Sequence, residues 1–162
     1  MNDKFIKIVL RPGKEQSLKR FHPWVFSGAI AKIYGKVDEG DIVTVYSNQD
    51  EFLAMGHYQI GSIAVRIFSF TEVVPDNNYW KMKLLQTYNL RKALNLTDNP
   101  DTNVYRLIHA EGDEMPGLVI DIYNDTAVMQ MHSIGMYKMR LQLAGLLKEI
   151  MGDKLRAVYD KS

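Results

Sequence analysis

Gly40-Asp41-Ile42-Val43-Thr44-Val45-Tyr46-Ser47-Asn48-Gln49-Asp50-Glu51-Phe52-Leu53-Ala54-Met55-Gly56-His57-Tyr58 reads as turn, strand, turn, strand. Gly40-Asp41 and Asn48-Gln49-Asp50 supply turn residues, and the run between them is β-branched and aromatic. Upstream, Phe5 to Leu10 is a further run of this kind, ended by Arg11-Pro12-Gly13. His22 to Ile30 lies between, after a loop carrying Lys14, Lys19 and Arg20, and Ile63 to Phe70 follows. Several short strands at this spacing predict a small barrel or sandwich.

Beyond residue 72 the period changes. Trp80, Leu84, Leu85, Tyr88 and Leu94 recur at helical spacing, with no Gly or Pro from Tyr79 to Leu96. After a polar break, Val104 to Ala110, Leu118 to Ile122 and Ala127 to His132 read as three strands. Met136 to Ile150 is an amphipathic helix with Met139, Leu143, Leu146, Leu147 and Ile150 on one stripe. Leu155 to Tyr159 then begins a strand shortly before the last residue, so a strand partner is expected beyond Ser162. The fold class is mostly β, then α+β: a barrel-like domain over 1–72, a helical linker over 73–102, and an incomplete strand-strand-strand-helix-strand domain over 103–162.

Hydrophobic residues make up 46% of the 162 and charged residues 24%, which is globular usage and argues against disorder. A formal net charge of +1 excludes an overwhelmingly basic nucleic-acid binder but not a local basic face. There is no cysteine, so disulfides, thiolate metal sites and cysteine nucleophiles are excluded for this chain. Met1 is followed by Asp3-Lys4, with no apolar run fit for a leader or a membrane span. A cytoplasmic location is expected.

Lys14, Lys19, Arg20 and His22, with Trp24 close behind, form the first basic cluster. Cations hold phosphates, while an aromatic ring or an imidazole stacks on an unpaired base. The competing reading is a solvated loop with Trp24 and Phe26 in the barrel core. Lys32 and Arg66 are candidates to extend the same face. Glu111, Asp113, Glu114 and Asp121 could form an acid–base pair or bind a divalent cation, or simply make a polar loop around Pro116-Gly117. His109-Ala110-Glu111 has the His-x-Glu form of zinc deaminases but lacks the downstream cysteines that chemistry needs. No glycine-rich strand-to-helix turn is present to hold a nucleotide-like cofactor.

Several motifs, in order, resemble the bacterial S-adenosylmethionine-dependent methyltransferases that modify cytosine carbon 5 in large-subunit ribosomal RNA. A basic residue followed by His-Pro-Trp-Val-Phe-Ser-Gly-Ala matches Arg20 and His22 through Ala29. Gly40-Asp41 and Ala54-Met55-Gly56 match the pattern of a PUA domain, an RNA-binding pseudo-barrel. Tyr105 to Ile108, Gly112-Asp113 with Pro116-Gly117-Leu118, Asp121 and Tyr123, and Val158 to Ser162 are similar to the family's middle domain. Ile122 and Lys161 stand where that family usually has Arg. Either swap leaves the fold intact, but Ile122 removes any guanidinium contact.

The resemblance implies a PUA-like domain followed by part of a middle α/β domain, with the methyltransferase domain missing from this chain. The chain itself is then expected to be no enzyme and to hold no cofactor or metal, with S-adenosylmethionine belonging to the complete enzyme. Its partners would be large-subunit rRNA and the missing domain. The alternative is a protein-interaction or dimerisation scaffold, a possible homodimer, with RNA bound mainly by the missing domain.

Overall fold

The computed structural model describes residues 5–162; Met1 to Lys4, on which the absence of a leader was argued, lie outside the described residues. The chain divides into two compact units. Described residues up to Val73, joined by Ser133–Gly135, form the first; Val74–His132 and Met136–Ser162 form the second.

The first unit contains β1 (Ile6–Leu10), a one-turn helix α1 (Gln16–Lys19), β2 (Trp24–Phe26), β3 (Ile30–Tyr34), β4 (Ile42–Tyr46), β5 (Phe52–Tyr58) and β6 (Ile63–Ser69). They make one sheet in the order β2-β6-β5-β4-β1-β3. All its pairings are antiparallel except β1 with β4. Strands β2 and β3 are thus at opposite ends of the sheet, yet only the turn Ser27–Ala29 separates them. Laid flat, six strands would hold those ends about 24 Å apart. The link from Phe26 to Ile30 reaches at most about 14 Å. The sheet must therefore roll up, and the expected barrel follows from chain length alone. Ile8, Leu10, Val25, Val43, Val45, Ala54, Val65 and Ile67 fill its interior, and α1 adds Leu18.

Turn chemistry fixes the register. Ser47 is buried, and its Oγ accepts the amides of Gln49 and Glu51, each at 3.2 Å, which clamps the β4–β5 turn. On β5, Gly56 faces β6 so closely that a Cβ there would meet the carbonyl oxygen of Arg66 and lie 2.6 Å from Val65 Cγ1. Strand β6 approaches at a register shift between Met55 and Gly56, so this glycine is required by space.

The second unit contains α2 (Asn77–Ala93), β7 (Val104–His109), β8 (Leu118–Tyr123), β9 (Thr126–Met131), α3 (Ile134–Lys138), α4 (Arg140–Met151) and β10 (Ala157–Asp160). The sheet order is β10-β9-β8-β7, an antiparallel meander with β10 added parallel to β9. Asp76 caps α2, its carboxylate accepting the Tyr79 amide at 2.9 Å. The helix expected as a linker is instead a packing element of this unit. It lies against α4 and β7 and buries Trp80, Leu84 and Thr87. The helix expected over Met136–Ile150 is broken at Met139, which leaves the helical region between α3 and α4. Among the described residues, no helix is long and apolar enough to cross a membrane.

Two outcomes are expected. Gly56→Ala should destabilise the chain by about 2 kcal/mol, the cost of overpacking against backbone that cannot yield, read as a lower denaturant midpoint. The Tyr105 phenol is pushed up to about 12, first by burial, which disfavours its anion, then by Tyr88 and Asp98. Because the folded value lies above the ordinary 10, its contribution is complete below pH 10 and is lost as pH rises through about 12. Absorbance titration should show a late-ionising tyrosine that Tyr105→Phe removes.

Candidate nucleic-acid interface

The chain enters β2 through a left-handed turn. Phe21, at φ 60°, follows α1. Its amide donates to Leu18 O at 2.9 Å, and that of His22 to Ser17 O at 3.0 Å. This closure leaves Phe21 72% exposed, resting edge-on against Phe70 at 5.2 Å. His22, Trp24 and Phe26 then follow at alternate positions, the spacing that puts side chains on one side of an extended segment. Their rings gather: His22 lies 5.8 Å from Trp24 and 6.1 Å from Phe26, and Trp24 lies 6.3 Å from Phe26. The His22 Nδ1 is 3.2 Å from both the amide nitrogen and the carbonyl oxygen of Trp24, so either tautomer is held.

Arg66 on β6 is the cross-strand partner of Trp24, and of His57 on β5. Its guanidinium donates to Gln59 Oε1 at 3.3 Å. Trp24 is only half-buried and Phe26 is 49% exposed. Neither is barrel core; that place in β2 belongs to Val25. Arg20 is exposed at the C-cap of α1. Lys14, also exposed, lines a cavity of about 300 Å³ with Leu10, Ser17, Val25, Phe26, Gly28 and Ala29.

Two candidates are already engaged. Lys19 pairs with Glu51 at 2.7 Å, and that hydrogen bond raises its pKa above the ordinary lysine value. Lys32, on β3 at the other end of the sheet order, sits 4.4 Å from the centre of the Tyr34 ring. Sequence reasoning overlooked Phe21 and Phe26 as exposed rings. The alternation of His22, Trp24 and Phe26 was a usable signal for Phe26. Nothing short of the backbone torsion marked Phe21.

The acidic loop of the second unit is built for structure. Asp113 accepts from Arg91 at 2.6 Å and from the His109 amide at 2.6 Å, and the Arg91 and Asp113 side chains are only 11% and 7% exposed. Asp121 takes two hydrogen bonds from Arg106, at 2.8 and 3.0 Å, and Glu114 pairs with Lys83. Three separate cations hold three carboxylates, so they do not form the paired site that acid–base work requires. Among the described residues, no group of three His, Asp or Glu side chains is placed to hold a metal ion.

Residues 8–70, which hold the six-stranded sheet of the first unit, match the family of PUA-like domains. The whole chain aligns with part of a larger protein. It is 36% identical over 158 residues to the Ribosomal RNA large subunit methyltransferase I of Pseudoalteromonas atlantica, covering 96% of this chain and 39% of that relative. The protein of the same name from Escherichia coli O127:H6 is 36% identical over 160 residues, with 97% and 39% covered. The chain thus spans about two fifths of the length of these relatives. Its fold is that of part of a Streptococcus mutans protein assigned as a SAM-dependent methyltransferase, at TM-score 0.81 and 22% identity, covering 97% of this chain and 41% of that one. A structure of SMU.776, assigned as a methyltransferase and complexed with SAH, matches equally well, at TM-score 0.81 and 22% identity, with 96% and 40% covered.

Asp113→Ala should cost about 3–5 kcal/mol, because it strands the Arg91 guanidinium away from water. Asp121→Ala, whose Arg106 partner is 46% exposed, should cost about 1 kcal/mol or less. Urea melts of the two variants compare them.

Proposed function

We propose that this chain is the RNA-binding portion of a SAM-dependent methyltransferase that acts on cytosine carbon 5 of large-subunit rRNA. It grips ribosomal RNA and positions it for a catalytic domain outside these residues. The observation that carries the reading is the exposed His22–Trp24–Phe26 edge beside Arg66, with Arg20 and Lys14 nearby in the chain. Rings that stay out of the core at a cost in apolar exposure suit unpaired bases, and the cations suit phosphates. Relatives named for rRNA methylation support the same substrate, and with it a cytoplasmic setting.

Catalysis belongs elsewhere in this reading. Attack on a cytosine ring needs a thiolate, and the 162 residues include no cysteine. Nor is there the glycine-rich strand-to-helix turn that a SAM site uses: Arg11 to Glu15 carries Gly13 alone, and Phe70 to Asp76 and His132 to Ser133 carry no glycine. The residues present therefore do not fit that cofactor.

A second reading keeps RNA for the missing domain and makes this chain an assembly scaffold. It is favoured by β10, an edge strand with Tyr159 exposed, and by Leu141, 78% exposed on α4. Light scattering distinguishes the two, since a scaffold dimerises with concentration and lacks RNA affinity.

Labelled rRNA fragments titrated at two salt concentrations should give a log–log slope near about −3 for about four phosphate contacts on single strands. Joint replacement Arg20→Ala and His22→Ala should weaken binding about tenfold or more, as the loss of one stacked base or its ion pair would. Lys92→Ala, on α2, should be silent. Absent or salt-insensitive binding would count against an RNA-binding role.

A further inference from the structure

The second unit holds a cavity of about 320 Å³, lined by segments far apart in the chain. Tyr88 of α2 and Tyr105 of β7 give it rings, and the connection between them supplies Asp98, Asn99 and Asn103. Asn124 and Asp125 come from the β8–β9 turn, and Asp153 and Lys154 from the turn after α4. Two cross-links hold these walls together. The Asn124 amide donates to Asn103 O at 2.7 Å, and Lys154 pairs with Asp98 at 2.6 Å. The lining therefore already seats one ammonium of the chain itself. The Asp98 hydrogen bond first, and then Tyr88, hold the pKa of that ammonium above the ordinary lysine value. Tyr88 acts on the Tyr105 phenol as well, so Tyr88, Tyr105 and Lys154 converge on one place. Asp125 accepts the Thr126 hydroxyl at 3.3 Å. Among the described residues, neither Asp125 nor Asp153 is matched by a cation.

We propose that this cavity binds a short aliphatic polyamine, a flexible chain carrying two or more ammonium groups. The chemistry of the walls selects that class. Three aspartates against one lysine repel phosphate, so neither a nucleotide nor an RNA backbone suits it. A divalent metal ion needs its oxygen ligands gathered on one point. No group of three His, Asp or Glu side chains is so placed among the described residues. Ammonium groups spaced along a chain instead meet carboxylates that stand apart. Tyrosine faces add attraction for a cation. Carboxamide and phenol oxygens accept the N–H groups of an ammonium, which is a donor only. A pocket of this volume takes a small molecule and not a helix or strand of a partner protein. The cavity shares no residue with the aromatic edge of the first unit, so this site and the RNA-binding reading stand or fall separately.

The test titrates the whole chain with spermidine, read by calorimetry and by amide NMR shifts. Spermidine should shift the amides of Asn103, Asn124, Asp125 and Asp153. Propylamine, with a single ammonium, should bind about tenfold more weakly. Joint replacement Asp125→Asn and Asp153→Asn, which keeps shape and removes charge, should weaken spermidine about tenfold with an unchanged thermal midpoint. Lys154→Gln should act the other way. It removes the ammonium seated on Asp98, so spermidine should bind about threefold more tightly; a lysine that only holds the walls together would give equal or weaker binding. This variant decides the matter if the double variant fails to fold. Magnesium chloride at matched ionic strength should leave the four amides unshifted. Absent spermidine binding, equal shifts from magnesium, unchanged affinity in the folded double variant, or no tightening in Lys154→Gln each overturn the proposal.

Discussion

Three residues, Ser27–Ala29, join strands that lie at opposite ends of a six-stranded sheet. That tether is shorter than the width of the sheet laid flat, so it forces the sheet to curl and encloses the aliphatic residues of β1, β2, β4, β5 and β6. The same tether makes β2 a terminal strand, hydrogen-bonded only to β6. Val25 turns inward, and its neighbours Trp24 and Phe26 are left with no further strand beside them. The exposed edge is thus a consequence of how the barrel closes.

The second unit is organised by a different constraint, the cost of burying charge. Arg91 reaches from α2 to Asp113 in the loop after β7, and its Nε also donates to the Arg106 carbonyl at 2.9 Å. A guanidinium so enclosed is tolerable only with its partners in place. Helix α2 is therefore bound to this sheet by both its apolar stripe and its ion pair. Of the acids that could have been read as catalytic, Asp113 and Glu114 are spent on holding the loop, and Asp121 ties β8 to β7 through Arg106.

A net charge of +1 is compatible with the proposed RNA-binding surface, which is local. Lys7, Lys19, Lys81 and Lys154 are matched by acids, which lowers the number of cations free to meet phosphate. Arg20 and Lys14 stand beside the aromatic edge in the chain, and base stacking there would add affinity that charge alone does not provide.

Strand and turn residues were sufficient to read a small rolled β domain followed by an α+β region, because alternation and turn chemistry are local properties. The absence of a thiolate was likewise settled by composition. The place of Trp24 and Phe26 was not, since an aromatic at alternate spacing is compatible with either face until the sheet order shows which strand is terminal. Nor could spacing show that Lys19 faces Glu51, 32 residues away in the chain, or that the helix after residue 76 packs on its own sheet. Those outcomes depend on contacts between distant segments, and only the tertiary structure decided them. The proposal that the aromatic edge holds RNA joins both sources: residue types from the sequence, exposure from the fold.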